Sequence, residues 1–397
     1  MENRNFLKIV KIGIVILCIL LTMPFLNKFD SKLEVNIIDS EQHVKTPKTG
    51  NIDESPILID AEATGINAHN WSWAVSQDWC NGSGTEIDPY RISQVSINGM
   101  GVNNCIEIRN SKNDYFMIDH CNFLNAGNAD PFQLAANLFL NNSKYGKIIL
   151  NEIIGASSNL AMGLYAENCS YLQIESNNVS ENRFNAIQLS HSFASNITNN
   201  LIYNNHYGGI SVVDGSQTIH ITNNLVDQNY DGIGISDGSY NWINNNTISN
   251  NILDGIICVN CYNVEIASNE ITLNKYDGMY IASSNNLNII ANTIENNVYG
   301  IILRYSDSNS LWDNIIIHNN YYPVWLYSSN YNRILGNTIT ENKETLTQID
   351  CIGNELIDNI IFNDPEQQFL IITITAIVFL LLVSIIIFWK WKKAKRD

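Results

Sequence analysis

The sequence predicts an all-β fold, a parallel β-helix in which short strands wind into stacked coils. Two asparagine columns predict it, because each recurs at intervals of 22 to 26 residues. Such a period is typical of solenoids, whose units bury their apolar faces against their neighbours. The first column is Asn151, Asn177, Asn200, Asn224, Asn246, Asn269, Asn292, Asn314, Asn337 and Asn359. The second column is Asn182, Asn205, Asn229, Asn251, Asn274, Asn297, Asn319 and Asn342.

Apolar and polar residues alternate between the two columns, which is the pattern of a strand. Glycine or asparagine interrupts the alternation after about three to five residues, so each coil should carry about three short strands. A leucine-rich repeat is excluded, because the chain has neither its leucine framework nor room for a helix in each unit. The column that should line the interior is Val179, Ile202, Val226, Ile248, Ile271, Ile294, Ile316, Ile339 and Ile361.

The asparagine columns have a structural explanation. Coils stacked roughly 4.8 Å apart place like side chains in lines along the rod. Asparagines in such a line can bond amide to amide from coil to coil. Asparagine also tolerates the left-handed backbone that a sharp corner needs. We therefore expect both columns to be ladders at corners, with no part in chemistry.

The repeat also indicates the domain boundaries. Residues 53–104 break the period, contain three tryptophans and are interpreted as an N-terminal cap, because the open end of a solenoid needs a cover. Residues 105–363 hold the repeats. They include less regular coils with insertions, such as the run at 130–136.

Both ends of the chain have the pattern of membrane or export segments. Residues 369–388 form an uncharged run of 20 residues, long enough to cross a bilayer as a helix. The basic residues of 389–397 predict a cytoplasmic tail. Residues 1–30 combine cations with an apolar run and are interpreted as a signal peptide or an N-terminal membrane anchor. Residues 31–52 and 364–368 are linkers.

The part of the chain between the two terminal runs is strongly acidic. Residues 31–368 contain 13 Lys and Arg against 36 Asp and Glu, a net charge of −23. This charge argues against nucleic acid as a partner and suits a solvated surface domain.

Together with the terminal runs, this charge predicts a protein of the cell membrane with one or two spans. The bilayer should hold the C-terminal helix, and the β-helix should lie outside the cytoplasm.

The cysteines are predicted to be mainly structural. Cys169, Cys261 and Cys351 fall in a column otherwise held by serine, as small residues at a tight corner. Cys80 and Cys105 lie outside the columns, in an exported context that permits disulfides, and are predicted to bond and pin the cap to the first coil. The histidines fall in different columns, so no metal site is predicted from them.

One constellation predicts a ligand. Asp231, Asp254 and Asp277 each precede a glycine at intervals of 23 residues, so three carboxylates should line up one coil apart. Tyr230 and Tyr276 precede two of them. Such carboxylates raise each other's pKa or recruit a cation such as Ca²⁺, and flat aromatic faces beside acids suit sugar rings. The hypothesis is a saccharide groove; the alternative is turn chemistry, with aromatic rings stacked for stability.

The repeats resemble the right-handed parallel β-helix repeats of NosD-type proteins, in the units NNLVDQNYDGIGIS, NNTISNNILDGIIC and ANTIENNVYGIILR. The same repeats occur in a wider group of carbohydrate-binding proteins and sugar hydrolases. The segment WCNGSGTEIDPYRI looks like the entry motif of archaeal surface proteins with this fold. The resemblance implies right-handed coiling, an extracytoplasmic location and sugar binding. The copper-delivery role of NosD is not carried over, because the chain lacks an obvious copper-ligand cluster.

Three functions remain open from the sequence. The first is a membrane-anchored β-helix that binds glycans, or serves as a structural or adhesive surface protein, without catalysis. The second is a polysaccharide-active enzyme (lyase, hydrolase or epimerase), since carboxylate pairs about 5–9 Å apart perform glycosidase chemistry. The third is a NosD-like accessory protein of a transporter or metalloenzyme. No catalytic residue is assigned, and no cofactor apart from the Ca²⁺ hypothesis.

Overall fold

The computed structural model describes residues 52–130 and 133–362, which form a parallel solenoid with three sheets. In each coil the chain passes from sheet 1 to sheet 2 to sheet 3, and each strand pairs with its counterpart in the next coil. Pairing is parallel apart from one antiparallel pair, Cys80–Asn81 with Tyr90–Ser93, near the N-terminal end. The predicted all-β parallel solenoid is therefore confirmed.

The three sheets contain thirteen, twelve and thirteen strands. Sheet 1 consists of Ile52–Glu54, Val95–Asn98, Asn122–Leu124, Glu152–Ile154, Asn178–Ser180, Leu201–Tyr203, Leu225–Asp227, Thr247–Ser249, Glu270–Thr272, Thr293–Glu295, Ile315–Ile317, Thr338–Thr340 and Ile360–Phe362. Sheet 2 consists of Ile57–Asp60, Ile106–Arg109, Ala135–Asn141, Ala161–Glu167, Ile187–Ser190, Gly208–Val213, Asp231–Ser236, Ile256–Val259, Asp277–Ala282, Tyr299–Arg304, Val324–Tyr327 and Thr347–Ile349. Sheet 3 consists of Cys80–Asn81, Tyr90–Ser93, Phe116–Asp119, Gly146–Ile149, Gln173–Glu175, Asn196–Thr198, His220–Thr222, Trp242–Asn244, Glu265–Ala267, Asn288–Ile290, Ser310–Trp312, Arg333–Leu335 and Glu355–Ile357.

The predicted interior column lies in the core. All its members from Val179 to Ile339 are completely buried, and Ile361 in the last coil is partly buried. The neighbouring residues of each short strand point outward, which explains the alternation in the sequence. Burial of each large aliphatic side chain stabilises the fold by roughly 1.5–3 kcal/mol, so these columns are a main source of stability.

Both asparagine columns form the predicted ladders. In the first, Asn224 Oδ1 accepts hydrogen bonds from the backbone N–H and the Nδ2 of Asn200, at 2.9 and 3.0 Å. Asn224 Nδ2 in turn donates to the Ile197 carbonyl at 2.8 Å and to Asn246 Oδ1 at 3.0 Å. The second column repeats the pattern, for example from Asn205 to Asn229 at 2.9 Å. Each side chain therefore satisfies buried backbone groups at a corner.

The left-handed backbone at these corners belongs to a different residue from the one predicted. The ladder asparagines have negative φ, and the residue before each takes the positive φ, as at Asn199 (56°), Asn223 (57°) and Leu273 (60°). The reason is that the ladder side chain must point inward to reach the next coil, so the sharp turn falls one residue earlier. Asparagine is therefore needed at the ladder for its amide.

Serine and cysteine share the column at the corner between sheets 2 and 3, as predicted. The Cys169 N–H donates to Ser192 Oγ at 3.1 Å, and the Cys261 N–H donates to Ser284 Oγ at 2.9 Å. Both cysteines are buried, and Cys351 in the last coil is half-buried. The hydroxyls perform at this corner the capping that amides perform at the other two.

The N-terminal coils carry the one short helix among the described residues, α1 (Trp71–Ala74). The Asn70 side chain caps it by accepting the Trp73 N–H at 3.1 Å. Trp71 is buried, stacks on Tyr90 with ring centroids 4.7 Å apart, and donates from Nε1 to Ser111 Oγ at 2.9 Å. These aromatic contacts cover the core at this end.

Cys80 and Cys105 are free thiols in the structure, so the predicted disulfide is not formed. Cys80 lies in sheet 3, whereas Cys105 directly precedes a strand of sheet 2. The Cys105 Sγ instead lies 3.2 Å from both the Leu124 carbonyl oxygen and Asn137 Oδ1. Burial raises the pKa of each thiol to about 12, which keeps both protonated and unreactive.

The predicted terminal membrane segments, 1–30 and 369–388, lie outside the described residues. Within residues 52–130 and 133–362 there is no helix with the length and apolarity needed to span a bilayer.

Candidate functional site

The aspartate column, Asp231, Asp254 and Asp277, lies where the strands of sheet 2 begin. The side chains are linked along the rod by hydrogen bonds to the backbone. Asp231 Oδ1 accepts the Asp254 N–H at 3.3 Å, and Asp254 Oδ1 accepts the Asp277 N–H at 2.9 Å. Asn185 makes the same bond to the Gly208 N–H at 2.8 Å two coils earlier. The three carboxyls are therefore brought together in line, as members of a third kind of ladder.

The glycine after each aspartate allows the coils to approach closely. A Cβ on Gly232 would lie 2.3 Å from the Gly255 carbonyl oxygen, and a Cβ on Gly255 would lie 2.7 Å from the Gly278 carbonyl oxygen. Both distances are far inside van der Waals contact. Close packing of neighbouring coils therefore explains why glycine repeats after each aspartate.

Burial increases along the aspartate column. Asp231 is half-buried, Asp254 is 9% exposed and Asp277 is 1% exposed. Burial, and then the nearby Asp231 charge, raise the pKa of Asp254 to about 6, although the bond from the Asp277 N–H opposes the shift. Burial and the Asp254 charge raise the pKa of Asp277 to about 8. Neither Asp277 oxygen has a hydrogen-bond partner, so no donor stabilises the ionised carboxylate against this desolvation.

The aromatic residues beside the column stack on each other. Phe184, Tyr207 and Tyr230 form a stack with ring centroids 4.7 and 5.7 Å apart. Tyr276 is about half exposed and meets Tyr299 edge-on at 5.8 Å. Because the rings of the stack cover each other's faces, they present edges and hydroxyl groups to a ligand. The sequence suggested that the face of the Tyr230 ring could bind a sugar ring. In the structure the faces of the stacked rings are mostly covered by neighbouring rings.

The outer face of sheet 2 has a floor of small and polar residues, which sequence reasoning missed. Gln188, Ser211 and Gly234 occupy one register position on three successive coils. A Cβ on Gly234 would meet no atom within 4 Å, so the space above it is open. The signal in the sequence is weak, because the only mark of this floor is the absence of bulky outward residues.

Bulky residues bound this floor at both ends of the same column. On the N-terminal side stands Tyr165, which is buried in a small outer cluster with Ala136, Met162, Phe139 and Phe184. On the C-terminal side the column continues with Ile257 and Tyr280. The floor is therefore a depression about three coils long, which at roughly 4.8 Å per coil spans about 10–15 Å.

Polar groups line the other margin of the floor. Ser190 Oγ donates to Asp214 Oδ2 at 2.7 Å and lies 3.0 Å from His191 Nδ1. At the opposite margin, Asn185 of the aspartate column donates from Nδ2 to Gln188 Oε1 at 2.6 Å. His191 and Asp214 are exposed. Hydrogen-bond donors and acceptors therefore flank the floor opposite the aspartate column.

The charge of this face is acidic. The strands of sheet 2 from Ala135–Asn141 to Asp277–Ala282 contain no Lys or Arg. Among the described residues, no group of three or more His, Cys, Asp or Glu side chains could hold a metal ion. Asp231 Oδ1 and Asp254 Oδ1 each accept a backbone N–H, and Asp277 is 1% exposed.

Several solved structures are similar to this chain. The periplasmic alginate epimerase AlgG is 15% identical, with a TM-score of 0.52, over 69% of this chain and 85% of that chain. The A-module of the mannuronan C-5 epimerase AlgE6 from Azotobacter vinelandii is 12% identical, with a TM-score of 0.47, over 70% and 90%. DFA-IIIase from Arthrobacter chlorophenolicus A6 is 13% identical, with a TM-score of 0.47, over 72% and 79%. At 15% identity, the likeness to the alginate epimerase AlgG shows the fold alone.

The sequence comparisons give the family. No curated protein matches the chain significantly. The family model described as "Right handed beta helix region" matches residues 78–226 and 231–376. Because these two segments together span well over half of the sequence, the chain belongs to the family of right-handed parallel β-helix proteins.

Proposed function

We propose that this protein binds a saccharide chain across the floor of Gln188, Ser211 and Gly234, without catalysis. The observation that carries the proposal is the open space above Gly234, bounded by bulky residues along the rod and by polar groups at its margin. Saccharide sites combine such a concave surface with a few fixed hydrogen-bonding groups. The structural relatives that act on carbohydrates, such as the alginate epimerase, support the same ligand class.

The ligand expected on this face is neutral. Asp214, Asp231 and Glu167 are close to or part of the strands that form the face, and no cation of sheet 2 opposes them between Arg109 and Arg304. A uronate or sulfated chain would be repelled by this field, whereas hydroxyl groups of a neutral sugar can donate to the carboxylates.

Substitution of Gly234 by tryptophan tests this assignment. The new side chain enters open space, so we expect an unchanged melting temperature and at least a tenfold loss of affinity for neutral oligosaccharides on a glycan array. The matched control is Thr222→Trp, an outward position on sheet 3, which should bind as the unmodified protein does. Equal binding by both variants, or no binding of any glycan by the unmodified chain, would refute the proposal.

A second candidate, a polysaccharide-active enzyme, is favoured by the pair Asp231 and Asp254. The pKa of Asp254 is raised to about 6 by burial, whereas the half-buried Asp231 reaches solvent. One protonated and one ionised carboxyl are the pair that acid–base chemistry at a glycosidic bond requires. An enzyme of this kind would lose activity as the pH rises above about 6.

The variant Asp254→Asn separates the two candidates. Its amide oxygen can still accept the Asp277 N–H, so the ladder should persist. A binding protein would keep its affinity in this variant, whereas an enzyme would lose turnover of the glycans that it binds. Release of reducing ends, measured from pH 4 to 9 on glycans that the protein binds, distinguishes these outcomes.

The same proposal places the β-helix outside the cytoplasm, anchored by residues 369–388. The uncharged run and the basic residues of 389–397 support this orientation. Protease protection in sealed membrane vesicles tests it: the solenoid and the basic tail should be cleaved from opposite sides.

A further inference from the structure

The C-terminal end of the rod leaves apolar side chains uncovered. Leu356 occupies an interior column of sheet 3 but is 42% exposed, whereas Ile334, one coil earlier in that column, is 0% exposed. Ile352, Ile357 and Ile360 beside it are 70%, 43% and 49% exposed. We call Ile352, Leu356, Ile357 and Ile360 the apolar rim.

The strands of the last coil also end their sheets. Thr347–Ile349, Glu355–Ile357 and Ile360–Phe362 each have one edge that pairs with no described strand. The opposite end of the rod differs, because Trp71 and its aromatic neighbours cover the core there. An open solenoid end with an exposed interior residue, here Leu356, is a sticky surface that needs a partner.

The sequence indicates what lies near this end. The last described strand stops at Phe362, and the uncharged run begins at Phe369. The six residues between them can span at most about 20 Å when fully extended. If residues 369–388 cross the bilayer, as proposed above, the apolar rim is held within that distance of the membrane surface.

We propose that the apolar rim docks on the membrane interface, so that the bilayer serves as the C-terminal cap of the rod. This inference rests on the membrane anchor of the proposed function. The interface suits both features of the end: its acyl boundary accepts isoleucine and leucine, and its headgroup water satisfies the unpaired strand edges.

The charges around the rim specify the kind of lipid. Among the described residues, Asp350 and Asp358 form no ion pair, and no Lys or Arg lies near them in sequence. The nearby Arg333 is already paired with Glu355 at 3.1 Å. This acidic surround disfavours anionic headgroups. The expected partner is therefore a zwitterionic surface, such as phosphatidylcholine, with contact weakening as anionic lipid is added.

Fluorescence quenching by lipid tests the docking. The full chain, with Cys18→Ala, is labelled with an environment-sensitive fluorophore on Cys351 and placed in phosphatidylcholine vesicles containing a headgroup spin label. Cys351 is half-buried in the last coil, and the other described cysteines are buried. We expect at least a threefold greater quenching than for a label on Val102→Cys in a Cys351→Ser background, because Val102 lies in the N-terminal coils and is about half exposed.

The double variant Ile357→Glu, Ile360→Glu supplies the second readout. Both side chains already face solvent, so folding should persist while quenching falls to the Val102 level. Failure of the protein to float with the vesicles would overturn the anchor and this inference with it. Flotation without quenching at Cys351 would overturn the docking alone. Cross-linking of two copies through Cys351 in place of quenching would overturn it as well.

Discussion

Substitution of Asn224 by leucine is expected to destabilise the rod by roughly 3–5 kcal/mol, because each buried polar group left without a partner costs about 1–3 kcal/mol. The change roughly preserves the shape of the side chain but removes both its oxygen acceptor and its nitrogen donor. The backbone N–H and the Nδ2 of Asn200 then both lose their acceptor, and the Ile197 carbonyl loses a donor. Urea unfolding followed by far-UV circular dichroism measures the loss.

The neighbouring corner residue provides the matched control. Asn223 has a φ of 57° and is not part of the ladder, so Asn223→Gly should change the unfolding free energy by less than about 1 kcal/mol. Because the rod is stabilised by contacts between adjacent coils, the Asn224 variant should also unfold in two steps, one on each side of the broken ladder. Equal stability of the two variants would contradict the role assigned to the ladder.

Substitution of Asp277 by asparagine is expected to have the opposite effect and to stabilise the protein at alkaline pH. Asp277 is 1% exposed with no hydrogen-bond partner for either oxygen. The Asp277 carboxyl makes no hydrogen bond that an amide would lose, and Asn185 shows that an amide can occupy this column. We expect a gain of roughly 3–5 kcal/mol at pH 9, given that each unit of pKa shift corresponds to about 1.4 kcal/mol.

The pH dependence of this effect follows from the raised pKa. The folded protein retains the Asp277 proton up to about pH 8, whereas the unfolded chain releases it near the ordinary value of 3.8. The free energy of unfolding should therefore fall as the pH rises from about 4 to about 8. In Asp277→Asn this slope should shrink, while the exposed control Asp237→Asn should keep it. The measurement is the melting temperature of all three proteins from pH 4 to 9. The same dependence of melting temperature on pH in all three would contradict this explanation.

The regularity of the sequence explains why so much of the fold was predictable. A slip of one residue in any coil would break ladder bonds such as the one between Asn200 and Asn224. The periodic asparagines therefore define the register of the strands directly. The same logic placed Asp231, Asp254 and Asp277 in line. The left-handed corner residues were assigned one position too late, because the sequence shows that asparagine repeats but not which of two adjacent residues turns.

The candidate site was less predictable, because it depends on what covers each residue. Asp231, Asp254 and Asp277 look alike in sequence, yet Asp231 is half-buried, whereas burial raises the pKa of Asp254 to about 6 and that of Asp277 to about 8. Tyr299 replaces aspartate on the next coil, and its backbone N–H donates to the Tyr276 carbonyl, so the Asp277 carboxyl has no N–H partner. The floor around Gly234 carries no motif, since small outward residues are common in any solenoid.

The decisive measurement for saccharide binding on sheet 2 is a structure of the full chain with a bound neutral oligosaccharide. We expect a sugar chain over Gln188, Ser211 and Gly234, with hydroxyl groups bonded to the polar margin at Ser190 or Asp214. A ligand bound on sheet 1 or sheet 3, or an empty face of sheet 2 in a protein that demonstrably binds the sugar, would contradict it.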